Sequence, residues 1–157
     1  MKHTITALVE NQPGVLARIV GLISGRGYNI EMLNVAPTHD PTVSRLTMRV
    51  PGDDRILEQV TKQLNKLVDV IKVTDLTKQP FVSREMALIK VATPRGKRSE
   101  VVELAALFGC QIAAVQPQTL IVQKVGTQEE IEEFMEMLKP YGIQDVSNSG
   151  VIALAKE

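Results

Sequence analysis

Thr4-Ile5-Thr6-Ala7-Leu8-Val9-Glu10-Asn11-Gln12-Pro13-Gly14-Val15-Leu16-Ala17-Arg18-Ile19 is where the chain changes its period. Up to Glu10 the pattern alternates. Ile5, Ala7 and Val9 fall on one face, and Thr4, Thr6, Leu8 and Glu10 on the other, which reads as a strand. From Val15 onward the apolar positions take helical spacing. Val15, Ile19, Leu22 and Ile23 form a stripe that Leu16 and Val20 widen, so a well-buried helix is expected to Arg26. Gly25 and Gly27 supply stop signals. The turn between the two periods brings the Asn11 side-chain amide to the free N-terminus of a helix. First-turn N–H groups lack intrahelical partners and carry the positive end of the helix dipole, so they can receive a carboxylate. Gly14 leaves room for a ligand at the backbone, and Pro13 restricts the turn. The arrangement suits a small zwitterion such as an amino acid, and it holds no evident nucleophile or proton-transfer group.

Outward from this turn, Asn29–Pro37 reads as a second strand and Thr38-His39-Asp40-Pro41 as a turn. Val43–Val50 alternates cleanly: Leu46, Met48 and Val50 face one way, and Arg45, Thr47 and Arg49 the other. That pattern fits an antiparallel sheet covered on one side. Pro51-Gly52-Asp53-Asp54 breaks the strand and caps a helix lined by Ile56, Val60, Leu64 and Leu67. Val70–Leu76 closes the unit as a strand. After Thr77-Lys78-Gln79-Pro80 the same order begins again. A strand is expected at Met86–Ala92 and a helix at Ser99–Phe108 with Val102, Ala105 and Ala106 in its stripe. Strands follow at Gln111–Gln116 and Leu120–Val125, then a helix at Gln128–Lys139 facing inward through Ile131, Phe134, Met135 and Leu138. Ile143–Val146 and Val151–Leu154 supply the last strand or strands, interrupted at Asn148-Ser149-Gly150. The chain therefore reads as α+β, two ferredoxin-like βαββαβ domains. The boundaries expected are residues 1–76, a linker at 77–83, and residues 84–157. Each half is small for a self-sufficient core, so docking or dimerisation is expected to help both.

Composition excludes several function classes. The 18 basic and 18 acidic residues cancel, which leaves no broad basic field for nucleic acid or anionic lipid. Aromatics are 3% of the chain and Trp is absent, so a base-stacking platform is not expected. No apolar stretch approaches the roughly 18 residues of a membrane span. Met1-Lys2-His3-Thr4 runs straight into a strand pattern, so no signal peptide is expected. A lone cysteine, Cys110, excludes an intramolecular disulfide framework. Together these point to a soluble cytoplasmic protein.

The candidate sites are few. The Asn11–Gly14 turn is either a plain cap and turn or a ligand cradle. Asn29, in Arg26-Gly27-Tyr28-Asn29-Ile30, adds a second amide, and the strand order allows Asn11 and Asn29 to meet across a dimer interface. Arg95-Gly96-Lys97-Arg98 reads as a solvated turn and lacks P-loop spacing, although such a loop can hold an anion. Cys110 reads as a buried, inert thiol. His3 and His39 stand in no metal-ligand spacing and beside no serine or cysteine. Glu129, Glu130, Glu132 and Glu133 read as the exposed side of a helix near its N-terminus, where negative charge is favoured. No catalytic residue and no metal site is expected.

Leu8-Val9-Glu10-Asn11-Gln12-Pro13-Gly14-Val15-Leu16-Ala17-Arg18-Ile19 resembles the opening of an ACT domain. Extended through Gly21-Leu22-Ile23-Ser24-Gly25-Arg26-Gly27-Tyr28-Asn29-Ile30-Glu31-Met32-Leu33, it is similar to the small regulatory subunit of acetolactate synthase, also called acetohydroxyacid synthase. Val35-Ala36-Pro37-Thr38, Ser44-Arg45-Leu46-Thr47, Gln63-Leu64-Asn65-Lys66-Leu67-Val68-Asp69-Val70 and Arg84-Glu85-Met86-Ala87-Leu88-Ile89-Lys90-Val91 continue the likeness. Ile23 stands where that family often has Phe. Met32 stands where it often has Ser, which removes a hydroxyl near the expected site. The resemblance implies a subunit without a catalytic centre that binds the large catalytic subunit, raises its activity and confers feedback inhibition by branched-chain amino acids, usually valine. It further implies thiamine diphosphate, magnesium and FAD on the large subunit and none of them here. ACT domains of this kind pair side by side and bind the effector between protomers. On matching positions, Asn11, Gly14 and the backbone of Val15 and Leu16 would hold the amino-acid head group, with Asn29 and Ile30 from the facing protomer. A free-standing ACT-type sensor acting on another partner is the alternative, and a stand-alone enzyme on this scaffold is disfavoured.

Overall fold

The structure, a computed structural model, describes Lys2–Glu157; Met1 lies outside the described residues. The chain divides into two compact units, Met1–Val82 with Val151–Glu157, and Ser83–Gly150.

In the first unit β1 (Lys2–Glu10), α1 (Val15–Gly25), β2 (Met32–Pro37), β3 (Val43–Pro51), α2 (Asp54–Asn65) and β4 (Val70–Asp75) follow one another. The sheet order is β2-β3-β1-β4, antiparallel throughout. The alternating residues explain the layering. Ile5, Ala7 and Val9 of β1 and Leu46, Met48 and Val50 of β3 are buried against Val15, Ile19 and Ile23 of α1 and Leu57, Val60 and Leu64 of α2. Asp53 caps α2, its Oδ1 accepting from the Ile56 N–H at 3.1 Å. The helix α1 is less enclosed than its composition suggests, because Leu16 and Ala17 are exposed. The second strand starts at Met32 rather than Asn29. Gly27 turns at φ +79°, and the Tyr28 N–H donates to Ile23 O at 3.2 Å, so the chain stays tied to the end of α1 for three more residues. The sheet face away from the helices is not wholly polar and open as expected, for Thr6 and Thr47 on it are buried.

The second unit repeats the order with β5 (Phe81–Ala92), α3 (Arg98–Leu107), β6 (Gln111–Val115), β7 (Thr119–Gly126), α4 (Gln128–Leu138) and β8 (Ile143–Asn148). Its strands run β6-β7-β5-β8, the same 2-3-1-4 order as the first unit. Two ferredoxin-like βαββαβ units are thus present. The inward stripe of α3 is one residue from the expected one: Val101 and Ala105 are buried, while Val102 and Ala106 are exposed. Val101, Leu104, Ala105 and Phe108 stand at i, i+3, i+4 and i+7, and this set brings the Phe108 ring against Phe134, centroids 5.2 Å apart. Thr127 and Glu130 form a capping box at α4, which explains the acidic run there.

Residues 77–83, expected as a linker, hold the end of a 3-10 turn at Leu76–Lys78 and the start of β5 at Phe81. Val151–Glu157 groups with the first unit instead of the second. Its strand β9 (Ile152–Ala155) pairs with β5, and the Lys156 N–H donates to Pro80 O at 3.1 Å. The cause is apolar: Val151 and Ala153 are buried with Leu76, packed by Met32, Phe81 and Ala155. The valine and alanines of this short tail find their apolar partners on the first unit.

Candidate effector site at the N-terminus of α1

The turn after β1 is held from both sides. The Glu10 N–H donates to Asp69 O and the Asn11 N–H to Thr42 O, each at 2.8 Å. The Asn11 Nδ2 donates to Pro41 O at 3.0 Å. A carbonyl partner fixes the amide, since only the NH2 can face it. Asn11 Oδ1 is then left as an acceptor with no partner among the described residues. The loop that positions Pro41 is held by its own hydrogen bonds. Asp40 accepts from the Thr42 hydroxyl at 2.7 Å and the Thr42 N–H at 2.9 Å. These bonds, the hydroxyl first, hold the Asp40 carboxyl below the usual carboxylate range.

Gly14 occupies the N-cap position of α1 at φ +84°, and no side chain caps the helix. The Val15 N–H donates to Gln12 O at 3.3 Å, so the N–H groups of Leu16 and Ala17 are the first-turn donors left for an acceptor. A Cβ on Gly14 would lie 3.0 Å from Arg18 Nη1. The space made by the missing side chain thus faces Arg18, and the glycine is required by the left-handed turn. The Arg18 guanidinium grips Asp69 with Nε and Nη2, both 2.8 Å from Oδ2, and ties α1 to the loop before β4.

Beside this turn is a concavity of about 220 Å³. Asn11, Gln12, Val15 and Leu16 line it from the turn and α1; Val35, Ala36, Pro37 and Ser44 line it from β2 and β3. Three of the sequence-assigned positions, Asn11, Val15 and Leu16, are brought together here. Gly14 shapes the turn beside it, and its side-chain direction points to Arg18. Asn29 and Ile30 are not part of it. They follow the far end of α1, whose 11 residues span about 16 Å, with Asn29 exposed and Ile30 packed on the core. The wall from β2 and β3 was missed in the sequence. Val35-Ala36-Pro37 and Ser44-Arg45-Leu46 stood in the resemblance only as matching residues, and their meeting in one wall depends on the β2–β3 register that sets Val35 against Leu46. Met32 is not near this concavity. It packs in the Leu76–Val151–Ala153 cluster, and its Sδ accepts from the Val151 N–H at 3.2 Å.

The other candidates have structural partners. The Arg98 guanidinium donates to the Gln116 carbonyl, and Lys97 pairs with Glu100 at 3.5 Å. His3 is buried, its Nε2 3.1 Å from Gly52 O. Cys110 is half-buried, and burial pushes its thiol up, only partly offset by Lys124. Among the described residues, no group of three or more His, Cys, Asp or Glu could hold a metal. No helix among them is long and apolar enough to cross a membrane.

The family described as "AHAS small subunit-like ACT domain" matches residues 5–72, and "Small subunit of acetolactate synthase" matches residues 84–157. The chain belongs to the acetolactate synthase small-subunit family. The small subunit of Aquifex aeolicus is 46% identical over 157 residues, covering 99% of this chain and 82% of that one. The probable small subunit of Archaeoglobus fulgidus is 44% identical, covering 99% and 98%. The crystal structure of the Thermotoga maritima acetolactate synthase small subunit matches with a TM-score of 0.90 at 34% identity, covering 100% of this chain and 98% of that one. Members of this family are regulatory subunits of a catalytic large subunit, and the first unit is its ACT domain.

Proposed function

We propose that this chain binds and activates the large catalytic subunit of acetolactate synthase in a cytoplasmic assembly, and that it confers feedback inhibition by valine or a related branched-chain amino acid. The observation that carries this reading is the concavity at the N-terminus of α1. It joins a helix end without a side-chain cap, a free amide oxygen on Asn11 and small apolar walls at Val35, Ala36 and Pro37. The N–H groups receive the effector's carboxylate, Asn11 Oδ1 receives its ammonium, and the apolar wall accepts a branched aliphatic side chain.

The site is shared between two copies. Asn11, Gly14, Val15 and Leu16 come from one protomer, and Asn29 and Ile30 from the other. Separation of the two groups by the length of α1 supports this division. So does the free edge of β2, where Val35 is 39% exposed and the ladder has an unpaired side. The thiamine diphosphate, magnesium and FAD of the reaction reside on the large subunit, and this chain contributes control. Effector binding at a protomer interface changes the relative stability of two arrangements of the assembly, which requires different affinities for the two. A coupling of about 1–3 kcal/mol is enough for substantial inhibition.

The test is reconstitution. The purified chain is mixed with its cognate large subunit, and acetolactate formation is titrated with valine, leucine and isoleucine. A rise on mixing followed by loss with at least one of the three supports the proposal. No rise refutes activation. A rise that none of the three reverses refutes the feedback role.

A further inference from the structure

The helix-free face of the first sheet carries a second constellation. Arg45 on β3 and Lys72 on β4 both pair with Leu8 of β1, one from each side. With strands about 4.8 Å apart, their Cα atoms lie about 10 Å from each other on one face. One rung along the sheet, Thr6 pairs with Thr74. The Arg45 Nη1 donates to Thr6 Oγ1 at 3.1 Å, and Thr6 is buried. The remaining guanidinium N–H groups find no acceptor among the described residues, and neither cation is in an ion pair. Leu76, Gln79 and the tail residues Leu154, Ala155 and Glu157 complete a pocket of about 320 Å³.

A lysine on an edge strand is ordinary protection against strand pairing, and that explains Lys72 taken alone. It does not explain Arg45. β3 is an inner strand, and Arg45 is half-buried there with its head held on a buried threonine and in no ion pair among the described residues. A guanidinium so fixed presents a planar fork suited to carboxylate or phosphate. Leu8, Leu76 and Leu154 give the same pocket an apolar wall.

We propose that this pocket binds a small anion bearing a carboxylate or phosphate on a short apolar body, at a site separate from that of the amino-acid effector. Arg45 and Lys72 neutralise the anionic group, Thr6 holds Arg45 in place, and the leucines accept the apolar part. The Glu157 side chain is the one acidic group on the lining, and it competes with the ligand for the two cations.

The experiment is calorimetric titration of the full chain at low salt with inorganic phosphate and, separately, with succinate, with valine titrated into the same preparations. Saturable binding of either probe is expected, weakened about tenfold or more by Arg45→Gln and by Lys72→Gln, with the valine isotherm unchanged. Glu157→Gln tightens it. Phosphate binding alone assigns a phosphate-bearing ligand, and succinate binding alone a carboxylate. Lys72→Gln sits on an exposed edge position and leaves the core untouched, so it guards against a folding defect in Arg45→Gln. Absence of binding by both probes, or binding that persists unchanged in Lys72→Gln, overturns the proposal.

Discussion

Gly14 and Gly96 hold the same left-handed conformation, φ +84° in each, at corresponding strand-to-helix turns of the two units. The surroundings correspond as well. The Asn11 N–H donates to Thr42 O and the Thr93 N–H to Gln118 O, both at 2.8 Å. The strand before each turn has its register shift at the same place, Leu8/Val9 in one unit and Lys90/Val91 in the other. One backbone solution therefore occurs twice in this chain with different side chains on it. In the first unit the turn adjoins Asn11 and small apolar walls. In the second it is basic, and Arg98 is engaged by the Gln116 carbonyl.

Gly14→Ala and Gly14→Asp separate backbone from charge. Both place a Cβ in a left-handed residue close to Arg18, so both should lose about 1–3 kcal/mol in chemical denaturation. The aspartate alone adds an acceptor beside the first-turn N–H groups, where it competes for the donors that the effector's carboxylate needs. Valine affinity should fall about tenfold further in Gly14→Asp than in Gly14→Ala. Equal valine isotherms for wild type and Gly14→Asp remove this turn from the effector site.

The shared site is tested by complementation. Asn29→Ala leaves an exposed position without its amide, so its melting temperature should change little, while Asn11→Ala also loses the bond to Pro41 O and should cost about 0.5–1.5 kcal/mol. Each variant alone should lose valine binding. A mixed pair, refolded together in equal amounts, should regain about a quarter of the sites, because a heterodimer holds one intact site and one doubly altered. Failure to regain any site in a mixture shown to contain heterodimers refutes the division of the site between copies.

Much of this was legible in the residues, and what was not has physical causes. Alternation and helical spacing report which residues face a core, so the strands β1, β3 and β7 and the helix α2 could be placed closely. In α3 two sets of small residues lie one position apart, and only the docking of Phe108 on Phe134 chooses between them. The tail after Gly150 reads as a strand from its pattern, but nothing local states that its partners are Met32 and Leu76. The turn proposed for the effector was readable as a turn because the Asn-x-Pro-Gly run is contiguous. Its far wall at Val35–Pro37 and Ser44 depends on register across strands.

Cys110 should react slowly. Its thiol is raised by burial, so the thiolate fraction at pH 8 is below that of an exposed cysteine, and alkylation by iodoacetamide should lag behind glutathione under the same conditions. The charge of Lys124 opposes this shift, so Lys124→Met should slow alkylation further. The lysine also donates to Phe108 O at 2.6 Å, at the end of α3, so the variant should be less stable as well. Faster alkylation of the folded Lys124→Met chain than of wild type would contradict the electrostatic account.

Met32→Ser restores the hydroxyl that the sequence resemblance leads one to expect here, and the structure separates the two readings of that position. A serine near the effector would alter valine recognition. Met32 instead packs with Leu76, Val151 and Ala153. Exchanging a partly buried thioether for a hydroxyl removes apolar contact without restoring a ligand group, which should cost about 1–2 kcal/mol of stability. The tail after Gly150 loses one of its anchors, so amide exchange should quicken at Val151, whose N–H rests on the Met32 sulfur. Valine affinity should be unchanged within error. A large change in affinity with unaltered exchange at Val151 would instead bring Met32 back to the effector site.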